Sequence, residues 1–320
     1  MALPVRSIGA VGVSARMGIG LAALGRPGYL NVGHGEDLGA DRSVQALRAR
    51  SFEVLDEAYA AGVQWFDAAR SYGQGEEFLG EWLRSRGIVP GSVTVSSKWG
   101  YRYTAGWKVD ARVHEEKDLS PSHLRRQLVE TKELLGEYLS VYQIHSATSD
   151  SGVLDDRAVL STLADLRETG VRVGLSTSGV DQADTIDRAR ISGAFDTVQS
   201  TWNLLERSAG PALAAAHDAG MTVIVKEGVA NGRLTDRGDA AALVAIARER
   251  GVGADALALT TVLAQPWSDV VLSGASTVNQ LRDNLRARSG IDGGALEAAL
   301  AIPSEEPTEY WRRRSAMRWT

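Results

Sequence analysis

Eight short runs rich in β-branched and aromatic residues recur along the chain, at 17–22, 63–66, 93–97, 141–145, 171–176, 197–200, 222–225 and 270–273. A longer stretch of helical period separates each from the next, so the chain reads as repeated strand–helix units. A helix that carries the chain back between strands makes those strands parallel, and such crossovers are right-handed. Eight of them predict an α/β fold of (β/α)8 TIM-barrel type, preceded by a short N-terminal hairpin at 5–13. A doubly wound open sheet is the other arrangement this rhythm allows.

Helix ends are readable. Ser120 and Pro121 suit an N-cap and first helical residue, with Leu124, Leu128 and Leu135 along one apolar stripe and Gly136 beyond. A second helix starts near Asp156, carries Val159, Leu163 and Leu166, and stops at Gly170, where a left-handed C-cap is free of strain. No low-complexity linker divides residues 1–320, so a single domain is expected. Three segments are longer than connections require: 23–41, 99–119 and the stretch after Pro303. The first two follow the first and third strands, which places them over the C-terminal face, where this architecture builds its sites.

The chain has no Cys, which excludes disulfides, thiolate nucleophiles and Cys-ligated metals and suits a cytoplasmic setting. Net charge is −5 with Lys and Arg dispersed, so no basic stripe offers itself to nucleic acid. No signal-peptide pattern opens the sequence and no apolar run reaches membrane-spanning length.

Four titratable residues stand at successive strand ends. Asp67 follows the second strand and Tyr72 lies in the same loop; Lys98 ends the third strand and His145 the fourth. Each alone has a bland reading, as cap, packing residue, solvated charge or satisfied polar group; together they point into one mouth. A phenol is a poor acid near neutrality, with a reference pKa of about 10. An adjacent ammonium would lower it, and Asp67 would keep Lys98 charged and positioned. His145 would bond a substrate oxygen as hydride arrives at carbon. Such a site needs a hydride source.

With Gly62, Val63, Gln64, Trp65, Phe66, Asp67, then Ser71, Tyr72, Gly73, Glu76, Leu79 and Gly80, the chain resembles the aldo-keto reductase superfamily, roughly over 16–284. The resemblance implies an NADPH-using carbonyl reductase in which Tyr72 is general acid, with NADH the alternative cofactor and a small carbonyl or alcohol as partner. It further implies that Ser176, Thr177 and Gln199 hold the carboxamide, Thr177 standing where relatives carry Asn. The run Lys226, Glu227, Gly228, Val229, Ala230, Asn231, Gly232 matches the loop over the pyrophosphate, with Lys226 where many relatives place an aromatic ring; Trp202 is a candidate substitute. Gly274, Ser276, Gln280, Asp283 and Asn284 resemble the adenosine-phosphate segment of the potassium-channel β-subunit branch. Gly18 and Gly20 read as a tight strand turn, not a dinucleotide fingerprint.

Trp99 and Trp107 are the expected substrate walls, among a set that includes Tyr101, Tyr103, His114, Tyr310, Trp311 and Trp319; the same rings could instead latch loops to the barrel. Residues 115–118 read as solvated surface. Two other functions fit parts of the pattern: a nucleotide-binding regulatory module on the same fold, and a Schiff-base lyase using Lys98.

Overall fold

The computed structural model describes residues 16–287 and 293–320; the hairpin expected at 5–13 lies outside them. The eight barrel strands are β1 (Met17–Gly20), β2 (Trp65–Asp67), β3 (Thr94–Trp99), β6 (Leu139–Ala147), β7 (Arg172–Thr177), β8 (Thr197–Thr201), β9 (Thr222–Lys226) and β10 (Val270–Ser273). The two missing numbers, β4 (Tyr101–Tyr103) and β5 (Glu115–Lys117), form an antiparallel pair above β3. The barrel is closed in the order β1-β10-β9-β8-β7-β6-β3-β2, and every neighbour is parallel. This is the (β/α)8 architecture, not an open sheet.

Strand pairing shows which residues face the axis. Gly18 is level with Trp65 and Leu272, and Val270 with Ile224. Trp65, Val141, Ile224, Val270 and Leu272 form their own apolar cluster, which plugs the lower barrel. Phe66, Val95, Tyr142, Val173, Val198 and Val223 point the other way and join the main core beneath the helices. Gly18 belongs to the inner set: a Cβ there would lie 2.8 Å from Leu272 and 3.2 Å from Trp65. Gly18 is therefore a barrel position that must be small, not a turn.

The helix ends follow local chemistry. Ser120 caps Pro121–Leu135 by accepting from the His123 N–H at 3.3 Å, and Asp156 caps Arg157–Glu168 through the N–H groups of Ala158 and Val159. Gly170 has φ +93°, which permits the stop expected there. The 115–118 run is at the surface as expected but is also ordered. Glu115–Lys117 is strand β5; Glu115 pairs with Arg26 at 3.0 Å, and Lys117 Nζ donates to the Ser146 carbonyl at 2.8 Å. Glu116, Lys117 and Asp118 are nonetheless exposed, as a solvated surface requires, with Glu116 opposite Arg102.

Candidate active site

Side chains alternate in a strand, so the inner set continued upward puts Asp67, Ser96, Lys98, Ser176, Gln199, Thr201 and Lys226 around the mouth. Asp67 and Lys98 are almost fully buried and form an ion pair. Lys98 Nζ also donates to the Ala68 carbonyl at 3.0 Å and to Tyr72 Oη at 3.3 Å. The second Asp67 oxygen accepts from Ser96 Oγ at 2.7 Å and Gln199 Nε2 at 3.1 Å, while Trp65 Nε1 fixes Ser96 at 3.0 Å. Both carboxylate oxygens are thus engaged. Because the ammonium donates to the phenol oxygen, the Tyr72 hydroxyl proton is left to point elsewhere.

His145 stands edge-on to Tyr72, ring centroids 5.5 Å apart, and edge-on to Tyr101 at 5.0 Å. Ser71 Oγ lies 3.5 Å from its Nδ1. Burial, then Lys98 and Lys226, hold His145 well below the usual imidazole range, so the ring is neutral at pH 7. Tyr72 moves opposite to expectation. Burial and then the Asp67 carboxylate push the phenol well above 10. The physical reason is that Lys98 spends its charge on Asp67, leaving desolvation to dominate.

A cavity of about 780 Å³ runs from Tyr72, Asp67 and Gln199 to the start of helix Val278–Leu285, within the range of cofactor pockets. Lys226, Glu227, Gly228, Val229, Asn231 and Gly232 line its middle. Gly274, Ser276, Gln280, Asp283 and Asn284 line its far end. Two observations along this groove fit a polar ligand. A Cβ on Gly274 would meet nothing within 4 Å, so the backbone there faces open space. Asn231 donates to Asn31 Oδ1 at 3.1 Å, yet its own Oδ1 is buried without a partner.

Lys226 Nζ donates to Thr201 Oγ1 at 2.9 Å and stands 3.9 Å from Glu227. Burial lowers its pKa to about 8 against the pull of Glu227. Glu227 is gripped by Arg314, whose Nε lies 2.9 Å from both carboxylate oxygens. Although burial opposes it, Arg314 and then Lys226 bring the Glu227 pKa down to about 2.

Several expected residues lie elsewhere. Trp99 follows inward Lys98, so it points outward into the helix layer and is fully buried in the main core, not on a pocket wall. Trp107 packs with Leu38, Leu47 and Phe78 and donates to the Arg42 carbonyl at 2.8 Å, latching its loop. Thr177 follows inward Ser176 and faces outward too; its hydroxyl donates to Ser200 Oγ at 2.8 Å, away from the cavity. Ser176 is inward but accepts the Ser146 N–H at 2.8 Å beneath the cavity wall. Trp202 is a core ring, edge-on to Trp267 at 5.6 Å. Among the aromatics of the mouth, Tyr29 lines the cavity instead. Arg26 lies over Tyr29, Tyr72 and Trp319, with its guanidinium 4.9, 5.2 and 4.5 Å from the three ring centres. Arg26, Tyr29 and Asp37 were marked in the sequence only by the excess length of 23–41.

A closed parallel barrel with this set of groups at its C-terminal mouth defines a class of barrel oxidoreductases. Residues 17–290 match the Aldo/keto reductase family, and the chain belongs to that family. It is an oxidoreductase by that membership, in a family that uses nicotinamide cofactors. It is 27% identical over 276 residues to the uncharacterised oxidoreductase YrpG of Bacillus subtilis, covering 74% of this chain and 81% of that protein. The holo form of an aldo-keto reductase from Bacillus halodurans superposes with a TM-score of 0.66 at 20% identity, over 92% of this chain and 94% of that one. A glycerol dehydrogenase from Gluconobacter oxydans gives 0.67 at 19% identity over the same shares. These structural likenesses are of fold. Among the described residues no helix is long and apolar enough to cross a membrane.

Proposed function

We propose that the protein interconverts an aldehyde or ketone and its alcohol, with NADPH or NADH as hydride partner and Tyr72 as the group that moves the proton. The bound nicotinamide supplies or takes the hydride. Gln199 is the inward polar residue lining the cavity that is available to its carboxamide; residues 226–232 flank the pyrophosphate, and Ser276, Gln280 and Asn284 hold the adenosine end. In the reducing direction, Tyr72 Oη gives its proton to the substrate oxygen. Lys98 stays hydrogen-bonded to the phenol oxygen and stabilises the charge left there, while Asp67 prevents the ammonium from moving away. With Ser71 beside Nδ1, His145 has Nε2 to donate to the substrate oxygen and orient it.

The observation that carries this reading is Lys98 Nζ at 3.3 Å from Tyr72 Oη while it is paired with Asp67. A phenol held protonated at neutral pH is in the state that proton donation needs. Tyr29 and Tyr101, not Trp99 and Trp107, supply rings to the mouth. The test is Tyr72→Phe. Turnover of a carbonyl panel falls roughly 10²–10⁴-fold, with cofactor binding kept. Tight cofactor binding without turnover in the native protein would favour a regulatory module instead, and borohydride trapping of an adduct on Lys98 would favour a lyase.

A further inference from the structure

The end of the cavity remote from Tyr72 is acidic. Asp37, Asp236, Asp255 and Asp283 line it, against Arg237 and Arg286. Both guanidinium groups are engaged: Arg237 lies 2.7 Å from Asp37 and 3.7 Å from Glu36, and Arg286 lies 3.1 Å from Asp283. Among the described residues, four carboxylates facing two arginines leave this wall with net negative charge. Asp255 senses it, since burial and then Asp283 and Asp236 raise its carboxyl above the ordinary range.

Asp37 is held in place within that wall. One oxygen takes Arg237 and the other accepts from Gln280 Nε2 at 2.6 Å. Gln280 Oε1 in turn accepts from the Ser276 N–H at 2.9 Å and from Ser276 Oγ at 3.1 Å. The polar atoms that open the Val278–Leu285 helix are thus tied to a carboxylate delivered by the 23–41 segment. A carboxylate accepts a hydrogen bond from a ribose hydroxyl, whereas a phosphate monoester is mostly deprotonated near pH 7, carries about −1.5 to −2 charge and repels the carboxylate. Arg237 and Arg286 each already pair with a carboxylate of this wall, so any phosphate they reached would share their charge with Asp37 and Asp283.

We propose that this wall, with Asp37 as its determinant, makes the cavity select a dinucleotide whose adenosine ribose carries a free 2′-hydroxyl, NADH, over the 2′-phosphorylated NADPH. The inference rests on the nicotinamide-dependent reading above. It reverses the cofactor order that the resemblance of 274–284 implies.

The full chain is titrated with NADH and with NADPH while Trp fluorescence is followed, so that binding is read without turnover. NADH is expected to bind at least about tenfold more tightly. Asp37→Asn and, separately, Asp283→Asn each narrow that ratio several-fold by strengthening NADPH. Raising ionic strength from about 0.05 to 0.5 M also narrows it, because screening weakens like-charge repulsion; this arm needs no variant to fold. Tighter NADPH binding by the native chain, or a ratio that neither variant nor salt moves, overturns the proposal while leaving the nicotinamide reading intact. Binding of neither cofactor overturns both.

Discussion

Asp67 is the residue on which the others lean. Its carboxylate holds Lys98, Ser96 and Gln199 at once, from two other strands, β3 and β8. Removing the ammonium leaves a buried, uncompensated anion, so Lys98→Met is expected to destabilise the fold by about 3–5 kcal/mol. Urea midpoints check this, and an unchanged midpoint would mean the carboxylate finds another partner. The titrations at the mouth make a second prediction. His145 is held neutral and Tyr72 protonated through the neutral range, so neither titrates near pH 7. Lys226, lining the same cavity with its pKa lowered to about 8, does. The pH profile of kcat/KM for reduction should carry its inflection near 8 and lose it in Lys226→Met. An inflection near 6.5 that survives in the variant would assign the titration to His145. The four strand-end residues were legible because barrel geometry gathers strand ends whatever lies between them. Trp99 and Thr177, expected at the cavity, face outward instead: each follows an inward residue, and strand alternation, which motif matching ignores, turns it away. The direction of the Tyr72 shift was not legible, because it depends on how completely the phenol is enclosed and on how Lys98 divides its charge.

Among the elements, the strand cores can be read from composition, and their ends shift where local hydrogen bonding decides. The first strand stops at Gly20, not at residue 22, because Leu21–Ala23 turns into a short 3-10 helix. The β4 and β5 pair is not legible because three residues are too few to establish a period: β4 is Tyr-Arg-Tyr and β5 Glu-Glu-Lys. The connection between β1 and the Tyr72 loop is also invisible to periodicity. Gly25 O accepts the Gln74 N–H at 2.8 Å, and a Cβ on Gly25 would lie 2.2 Å from Tyr72 O and 2.7 Å from Gly75 N. Both obstacles are backbone, so Gly25→Ala must push the Tyr72 turn away from Lys98. A displacement of that order costs about 10²-fold in rate. The expected outcome is a fall in kcat of that size with cofactor affinity within a few-fold of native. Unchanged kcat would show that the 23–41 segment yields in place of the Tyr72 turn.

At the scale of the molecule, the three over-long segments meet above the barrel. Arg26 pairs with Glu115, His114 stacks on Trp319 at 3.9 Å, and Tyr29 and Thr320 exchange backbone hydrogen bonds at 3.1 and 3.3 Å. Excess length marked all three in the sequence; their mutual contact was not legible, since it joins residues nearly 300 positions apart. The last helix, Pro307–Ser315, is anchored to the cavity wall through Arg314 and Glu227. That anchor has a sign that pH reveals. The folded Glu227 carboxyl has its pKa lowered from 4.5 to about 2, so its contribution is fully present above pH 4.5 and is lost as pH falls through 2. The shift corresponds to about 3 kcal/mol. Arg314→Leu removes the main cause of the shift and leaves the carboxyl buried beside Lys226 alone. The variant should be less stable than native by about 3 kcal/mol at pH 7. The gap should shrink as acid protonates Glu227 in the variant first, because burial without Arg314 raises its pKa. Urea unfolding at pH 7 and pH 3 separates this from simple loss of packing against Trp311, which Arg314 also overlies at 5.5 Å. A stability gap of equal size at the two pH values would place the anchor in packing and not in charge.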